Sequence, residues 1–195
     1  MLDDIESVVG VLPKDASASA AWGAPGTTRA AVLVPLLEVG GRVGVVLTRR
    51  AGHLRRHAGE VSFPGGRMEP GESPWDTALR EAHEEIALDP TLVSPVGRLD
   101  PVTTRVSGNL IHPVVGRVAG VPHLVADPGE VARIFTVTLA DLAREGTHWC
   151  EEWTTPAGEV SVHFFSVAGE TVWGATARML HALIGAVVAP DQGPA

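Results

Sequence analysis

The sequence predicts one mixed α/β domain, built on a mixed sheet with one acidic helix and a C-terminal helix. The chain has 195 residues, 45% of them hydrophobic, which is enough to bury one sizeable core. Short segments rich in Val and Leu alternate with Gly, Pro and Asp, a pattern typical of strands joined by turns. Two other segments, residues 73–88 and 173–188, have the features of helices.

The domain is expected to extend over residues 30–190. Residues 1–29 form a weakly patterned lead-in, with a short helix predicted over residues 2–12. No repeat, low-complexity tract or change in composition divides the remaining chain. A single domain therefore accounts for the sequence most simply.

The first strands are predicted to form a hairpin. Residues 30–38 and 42–48 are rich in Val and Leu and are separated by Gly40 and Gly41. Glycine tolerates the positive φ that a tight hairpin turn requires. Further strands are predicted over residues 93–99, 102–106, 110–118, 134–139, 148–154 and 160–167.

The helix over residues 73–88 carries clear start and stop signals. Ser73 is placed as the N-cap, Pro74 occupies the first helical position, and Asp76 completes a capping box. Pro90 lies beyond the end. The chain is predicted to continue from this helix into strands of the sheet, and the helix is predicted to pack on the sheet through an apolar stripe.

Three carboxylates are predicted to share one face of this helix. At about 100° per residue, Glu81, Glu84 and Glu85 lie on one arc beside the apolar stripe. Like charges at this spacing cost about 0.2–0.5 kcal/mol per pair, and only Arg80 can reach Glu84. A divalent cation would relieve this repulsion, and carboxylate oxygens suit Mg²⁺ or Mn²⁺. An arbitrary group of this kind is more often a solvated helix face.

The spacing around the helix resembles the signature of Nudix hydrolases, G-x5-E-x7-R-E-U-x-E-E-x-G-U, in which U is aliphatic. Ala87 stands where the signature has its second glycine, which would normally allow the chain to leave the helix through positive φ. The resemblance implies a Nudix α/β/α sandwich and metal-dependent hydrolysis of a phosphoanhydride. Small Ala82 at the first aliphatic position is the other departure, and the matching residues are Gly66, Glu72, Arg80, Glu81, Glu84, Glu85 and Leu88.

The resemblance also implies roles for these residues. Glu72 and Arg80 would brace the preceding loop against the helix and orient the carboxylates. The ligands of Mg²⁺ or Mn²⁺ would be Glu81, Glu84, Glu85 and the backbone carbonyl of Gly66.

The general base is not settled by the sequence. The helix carboxylates are favoured, with Glu84 a candidate if metal binding does not occupy it, and Glu130, Glu151 and Glu152 are alternatives from later in the chain. The predicted catalytic residues are accordingly Arg80, Glu81, Glu84, Glu85 and Glu130.

Basic residues are concentrated just before the acidic helix. Six of the nine residues 49–57 are Arg or His, and arginine binds phosphate through bidentate hydrogen bonds. Residues 46–66 also resemble a second motif, L-L-T-x-R-[SA]-x3-R-x3-G-x3-F-P-G-G, of the coenzyme A diphosphatase subfamily. The resemblance implies substrate binding by Arg50, Arg55, Gly65 and Gly66, whereas Phe63 is at least as well explained by packing.

The implied reaction cleaves coenzyme A, or a derivative, to 4′-phosphopantetheine and adenosine 3′,5′-bisphosphate. Two alternatives stay open: a Nudix diphosphatase for ADP-ribose or dinucleotides, and a Nudix module that senses a nucleotide without cleaving it. The sequence does not distinguish free from acylated coenzyme A, Mg²⁺ from Mn²⁺, or a monomer from a homodimer. It also leaves the adenine-binding residues and the physiological role undefined.

Charge and composition exclude other classes. A net charge of −8 argues against nucleic acid or an anionic membrane as a partner. No apolar run approaches the roughly 18–20 residues needed to cross a bilayer, and Asp3, Asp4 and Glu6 do not suit a secretory signal. We expect a cytoplasmic protein.

The remaining candidate side chains are not expected to carry chemistry. Cys150 is the only cysteine, has acidic neighbours in the sequence, and is predicted to be inert. The eight histidines are scattered, and only His53 and His57 have the i, i+4 spacing found in zinc sites. Because arginines surround those two, we predict no zinc site at His53 and His57.

Overall fold

The computed structural model describes residues 2–12, 28–104, 108–155 and 158–188. The helices are α1 (Ile5–Val11), α2 (Pro74–Ile86), α3 (Leu139–Leu142) and α4 (Gly174–Val188), with a 3-10 turn at Pro90–Leu92. The strands are β1 (Arg29–Val39), β2 (Arg42–Arg50), β3 (Val61–Ser62), β4 (Gly65–Arg67), β5 (Val93–Arg98), β6 (Val102–Thr103), β7 (Leu110–Val118), β8 (Val131–Thr138), β9 (His148–Thr155), β10 (Gly158–Val167) and β11 (Glu170–Trp173).

The central sheet is mixed, as predicted. Its strands lie in the order β3-β2-β1-β7-β5, while β4, β6 and β8 pair with β1, β7 and β2 respectively. Strands β1 and β7 are parallel, and the other pairings in this sheet are antiparallel. The predicted β1–β2 hairpin turns at Gly40 and Gly41, which have φ of 57° and 76°.

The two faces of β1 are buried against different layers. Val32, Val34 and Leu36 join the core that contains α1, α4 and part of the second sheet. Leu33 and Leu37, on the opposite face, join the core beneath α2. Because successive strand residues point to opposite faces, this continuous buried run identifies β1 as the centre of an α/β/α sandwich.

A second, smaller sheet has the order β11-β10-β9 and is antiparallel throughout. The C-terminal helix α4 packs against β10 and β11. Among the described residues, no helix is both long enough and apolar enough to span a membrane.

Most predicted elements are present, with bounds that differ by up to three residues, and the elements that were missed are short. Strands β3, β4 and β11 and helix α3 were not predicted, because elements of two to four residues have little periodicity of their own. The prediction for residues 102–106 extends past Thr104 into residues outside the described ranges. The lead-in helix is shorter than predicted and covers Ile5–Val11.

Candidate active site

The acidic helix α2 begins at the predicted capping residues and ends at Ile86, two residues earlier than predicted. The Ser73 hydroxyl accepts a hydrogen bond from the Asp76 backbone N–H at 3.2 Å, and the Asp76 carboxylate accepts one from the Ser73 N–H at 3.2 Å. This predicted capping box stabilises the helix by about 1 kcal/mol. Ala87 ends the helix in the left-handed region with φ of 53°. The chain thus makes without glycine the exit for which the signature uses glycine.

The three helix carboxylates differ sharply in exposure. Ala78 and Ala82 lie at the buried face of the helix. The side chain of Glu85 is only 3% exposed, that of Glu81 is 16% exposed, and that of Glu84 is 56% exposed. The predicted acidic arc therefore extends from the protein interior to solvent.

Arg80 forms a bidentate pair with Glu72. Arg80 Nε and Nη2 donate to the Glu72 carboxylate at 2.8 and 3.1 Å, and Thr77 Oγ1 donates to it at 2.6 Å. The Arg80 guanidinium and the Thr77 hydroxyl lower the pKa of Glu72 to about 2. Arg80 Nη2 also donates to the Arg67 carbonyl at 3.2 Å, which ties the segment before α2 to the helix. The contact predicted between Glu72 and Arg80 is thus present.

The same guanidinium reaches the acidic face. Arg80 Nη1 donates to Glu81 Oε1 at 2.9 Å and to Glu84 Oε2 at 3.1 Å, as the helix geometry predicted for Glu84. Hydrogen bonding to Glu72 is the main cause that raises the pKa of Arg80, so the side chain stays cationic. One arginine therefore fixes two carboxylates at the acidic face.

The paired glycines before α2 allow a close approach that no other residue would permit. A Cβ on Gly65 would lie 2.4 Å from the Ala31 carbonyl oxygen and 2.6 Å from the Val32 Cα. A Cβ on Gly66 would lie 2.4 Å from the Glu81 carboxyl carbon. Strand β4 thus places its backbone directly against β1 and against the acidic face.

Glu85 is buried between this glycine strand and the basic segment. Its carboxylate accepts hydrogen bonds from the Gly65 N–H at 3.1 Å and from Arg50 Nη1 at 3.4 Å. Burial raises the pKa of Glu85 to about 7, although both of these donors oppose the change. Burial also raises the pKa of Glu81, despite its contact with Arg80. Among the described residues, Arg50 Nε is buried and has no hydrogen-bond acceptor.

Glu130 lies on an exposed turn joined to both halves of the site. Its carbonyl accepts from the Ala51 N–H at 2.8 Å, and the carbonyl of Glu85 accepts from the Asp127 N–H at 2.9 Å. After burial, the charge of Glu130 is one of the causes that raise the pKa of Glu81 and Glu85. The structure therefore brings Glu130 within electrostatic range of the helix carboxylates.

Other predicted residues lie farther out or elsewhere. Arg55 is exposed on the turn between β2 and β3. Phe63 is 1% exposed and belongs to the hydrophobic core, which supports its packing interpretation. Glu151 and Glu152 belong to β9 of the second sheet, where Glu151 accepts hydrogen bonds from two tryptophans and Glu152 accepts one from Ser161.

The structure brings together three histidines that are scattered in the sequence. His148, His163 and His181 each place a potential ligand nitrogen within 4.8 Å of the others. They come from β9, β10 and α4, so their sequence separations of 15 and 18 residues gave no recognisable spacing. Only the pairing of β9 with β10 and the packing of α4 bring them together.

The acidic face is chemically suited to a hard divalent cation. It offers crowded carboxylate oxygens, and among the described residues Arg80 contacts Glu81 and Glu84 while Arg50 contacts Glu85. The backbone of Gly66 lies beside the Glu81 carboxylate, where a side chain would be excluded. These donors fit the cation implied by the signature.

Comparison with known proteins identifies the family. The NUDIX domain profile matches residues 27–151. Nudix hydrolase 3 of Caenorhabditis elegans is 37% identical over 166 residues, covering 77% of this chain and 69% of that protein. An uncharacterized Nudix hydrolase NudL of Photorhabdus laumondii is 36% identical over 155 residues, covering 79% of this chain and 82% of that protein.

Solved structures support the fold. The crystal structure of a MutT/nudix family protein from Enterococcus faecalis superposes with a TM-score of 0.52 at 18% identity, covering 86% of this chain and 63% of that one. The chain belongs to the Nudix hydrolase family. It is a Nudix pyrophosphohydrolase, a class that uses divalent metals and binds small molecules derived from nucleotides.

Proposed function

We propose that this pyrophosphohydrolase cleaves the diphosphate of coenzyme A or its thioesters, releasing 4′-phosphopantetheine and adenosine 3′,5′-bisphosphate. The observation that carries the proposal is the contact between the two motifs. Arg50, from the upstream motif, donates to Glu85 of the acidic helix, and Gly65 of the upstream motif donates to the same carboxylate. Both motifs thus contribute to one site, where a diphosphate would meet arginine and metal together.

In this proposal Mg²⁺ or Mn²⁺ is held by Glu81, Glu84, Glu85 and the Gly66 carbonyl. When bound, the ion would lower the pKa of water and neutralise charge on the phosphate oxygens. Arg80 would hold Glu81 and Glu84 in place, and its pair with Glu72 would keep it from turning toward the substrate.

The basic segment would bind the phosphates. Glu85 holds the Arg50 guanidinium at the site, and the Arg50 side chain is 24% exposed, so the guanidinium would also be able to donate to a phosphate oxygen. Arg55 and Arg56 are exposed nearby on the same turn. Coenzyme A carries a 3′-phosphate in addition to its diphosphate, and we assign that extra charge to the exposed arginines.

For proton transfer we favour Glu84 in a state in which it does not bind the metal, with Glu130 as the alternative. Glu84 is the most exposed of the helix carboxylates, and Arg80 holds it at 3.1 Å. Glu130 is exposed on a turn that is tied to α2 by the Asp127 N–H. The Glu84→Gln and Glu130→Gln variants separate these roles, because loss of the base removes the acidic limb of the pH–rate profile.

The test is product analysis by liquid chromatography and mass spectrometry. The protein is incubated with Mg²⁺ or Mn²⁺ and with coenzyme A, acetyl coenzyme A, dephospho-coenzyme A, ADP-ribose, NADH or a dinucleoside polyphosphate. Fastest cleavage of a coenzyme A compound to the two stated products supports the proposal. Preference for ADP-ribose or a dinucleotide overturns the substrate assignment, and binding without turnover indicates a sensing module.

An arginine variant tests the substrate more finely. Arg55→Ala is expected to raise KM for coenzyme A about 10-fold, the cost of one charge-assisted hydrogen bond, with little change for dephospho-coenzyme A. Arg42→Ala is the matched control, because Arg42 is exposed at the β1–β2 turn. An equal loss for both substrates would remove Arg55 from recognition of the 3′-phosphate.

A further inference from the structure

Three histidines form a compact cluster on the side of the molecule that carries the second sheet. His148 Nε2 and His163 Nδ1 are 2.9 Å apart. The ring of His181 stacks on both, with centroids 4.9 Å from His148 and 4.3 Å from His163. One nitrogen from each residue lies within 4.8 Å of the other two.

The fold builds this cluster from rigid elements. In the β9–β10 register His148 lies opposite Phe165, and His163 lies opposite Cys150. Strand alternation puts these residues on one face of the sheet, which α4 covers. The His148 ring also packs on Phe165, with centroids 4.8 Å apart, and Phe165 is buried. Two of the three imidazoles are therefore held by strands and packing, while His181 approaches from the helix.

We infer that His148, His163 and His181 form a second metal site, selective for a borderline transition ion such as Zn²⁺. Imidazole nitrogen is a preferred ligand of Zn²⁺, whereas Mg²⁺ and Mn²⁺ prefer oxygen. The donors here are all nitrogen, and those of the acidic helix are all oxygen. The histidine site would thus prefer Zn²⁺, and the acidic site would prefer Mg²⁺ or Mn²⁺.

The observed geometry requires only a small adjustment to bind the ion. Zn–N distances of about 2.0–2.1 Å in a tetrahedral site place ligand nitrogens roughly 3.4 Å apart. The 2.9 Å separation of the His148 and His163 nitrogens is already close to this value. His181 is exposed, and its ring stacks on the other two imidazoles from the solvent side of the cluster. Rotation of this one side chain would complete the set.

The electrostatic surroundings keep the ring nitrogens available. Burial lowers the pKa of His148 and of His163, so both are neutral at pH 7. Arg178 of α4 adds to this effect on His163, while Glu152 of β9 opposes it. Neutral imidazole is the form that binds a metal ion.

The fourth coordination position would be open to solvent or to Cys150. Cys150 is exposed, and it lies opposite His163 in the strand register. Binding would join β9, β10 and α4 through one ion. The expected role is structural, because the ion would fasten the C-terminal helix to the second sheet.

The experiment measures binding directly. Full-length protein without a polyhistidine tag is equilibrated with Zn²⁺ in excess Mg²⁺, which occupies the oxygen site, and bound zinc is counted by mass spectrometry. One Zn²⁺ per chain is expected, with a rise of about 5 °C in the unfolding midpoint at saturating Zn²⁺. Zinc binding that excess Mg²⁺ abolishes would overturn the proposal.

Variants assign the ion to the cluster. His181→Ala is expected to weaken Zn²⁺ binding by more than about 100-fold, since loss of a direct ligand exceeds the usual loss for an outer partner. His123→Ala is the matched control, an exposed histidine on the loop before β8, and should bind as the parent does. Equal zinc binding by the two variants would contradict the site.

Cobalt substitution gives an independent readout of geometry. Co²⁺ in place of Zn²⁺ is expected to give the intense visible bands of a tetrahedral site in the parent and in His123→Ala. The bands should be lost in both His181→Ala and His163→Ala. Bands that persist in these two variants would overturn the assignment, and a thiolate band that disappears in Cys150→Ser would identify the fourth ligand.

Discussion

The acidic helix and the histidine cluster are both groups of potential metal ligands, but the chain assembles them differently. Glu81, Glu84 and Glu85 come from one helix, and their spacing is fixed by the helical repeat. His148, His163 and His181 come from two strands and a helix. The first group is visible as a motif in the sequence, whereas the second exists only after β9, β10 and α4 have packed.

The two groups also differ in how the protein controls their charge. The carboxylates are crowded, and burial raises the pKa of Glu81 and Glu85, so a cation relieves an existing cost. Burial lowers the pKa of His148 and of His163, so these two imidazoles carry no comparable repulsion at pH 7. We therefore expect the acidic site to respond to metal mainly through activity, and the histidine site mainly through stability.

The largest expected effect is a loss of activity, without a loss of stability, when Glu85 of the acidic helix is replaced. Glu85→Gln should lower kcat/KM by more than about 100-fold, because it removes a proposed metal ligand. The unfolding midpoint without metal should not fall at pH 8, since the substitution removes a buried charge and leaves an oxygen for the Gly65 N–H. Steady-state kinetics and thermal unfolding measure the two quantities.

Glu159→Gln provides the control for that comparison. Glu159 is an exposed carboxylate of β10, and its replacement should leave both quantities unchanged. Activity of Glu85→Gln within a few-fold of the parent would remove Glu85 from the catalytic group.

The paired glycines provide the next test. Gly65→Ala should lower the free energy of unfolding by about 3 kcal/mol, because its Cβ would meet the backbone of β1, which cannot move aside. Gly66→Ala would instead meet the Glu81 side chain, so we expect a loss of activity of about 10-fold or more with less destabilisation. Urea unfolding and kinetics of the two variants distinguish these outcomes.

Gly185 of helix α4 provides the control for the Gly65→Ala variant. Gly185 lies in α4 with open space around its Cα, so Gly185→Ala should stabilise the protein by about 0.5–1 kcal/mol. If Gly65→Ala were equally harmless, the close approach of β4 to β1 would have no energetic importance.

Replacing alanine by glycine should change the free energy of unfolding in opposite directions at the end of α2 and within α4. Ala87 has φ of 53°, a conformation that costs an L-residue free energy but not glycine. Ala87→Gly should therefore raise the free energy of unfolding by about 0.5–1 kcal/mol. Ala182→Gly, at an exposed position within α4, should lower it by about 1 kcal/mol. Matching signs for the two variants would contradict the left-handed helix exit.

The smallest effect concerns acid stability. Arg80 and Thr77 lower the pKa of Glu72 from 4.5 to about 2, so the folded state binds this proton less tightly than the unfolded state. The resulting stabilisation is fully present above pH 4.5 and is lost as the pH falls toward 2. Glu72→Gln should therefore be less stable than the parent at pH 7, and the difference should shrink between pH 4.5 and 2 in urea unfolding. A difference that is constant with pH would contradict the Glu72–Arg80 pairing.

The local signals of the sequence predicted the acidic helix closely. The capping residues Ser73, Pro74 and Asp76 set the start of α2 within one residue of its observed first position. The end was predicted two residues too late, since the stop was inferred from Pro90 while the chain leaves the helix at Ala87. Helix periodicity also placed the three carboxylates together, but it did not predict that Glu85 would be buried, which depends on β4 and Arg50.

Features that depend on long-range packing were not predictable in this way. Strand β4 consists of Gly65–Arg67, and its strand conformation comes from pairing with β1 rather than from its own propensity. The tie between Ala51 and the Glu130 carbonyl joins segments 79 residues apart. The histidine cluster is the extreme case, because each of its residues has an unremarkable local sequence.

The most direct test of this comparison is anomalous X-ray diffraction from crystals containing both Mn²⁺ and Zn²⁺, with data collected at the absorption edge of each metal. The expected result is manganese at Glu81, Glu84 and Glu85 and zinc at His148, His163 and His181. Both metals at the carboxylates, with no anomalous peak between β9, β10 and α4, would contradict the assignment of two sites with different ligand chemistry.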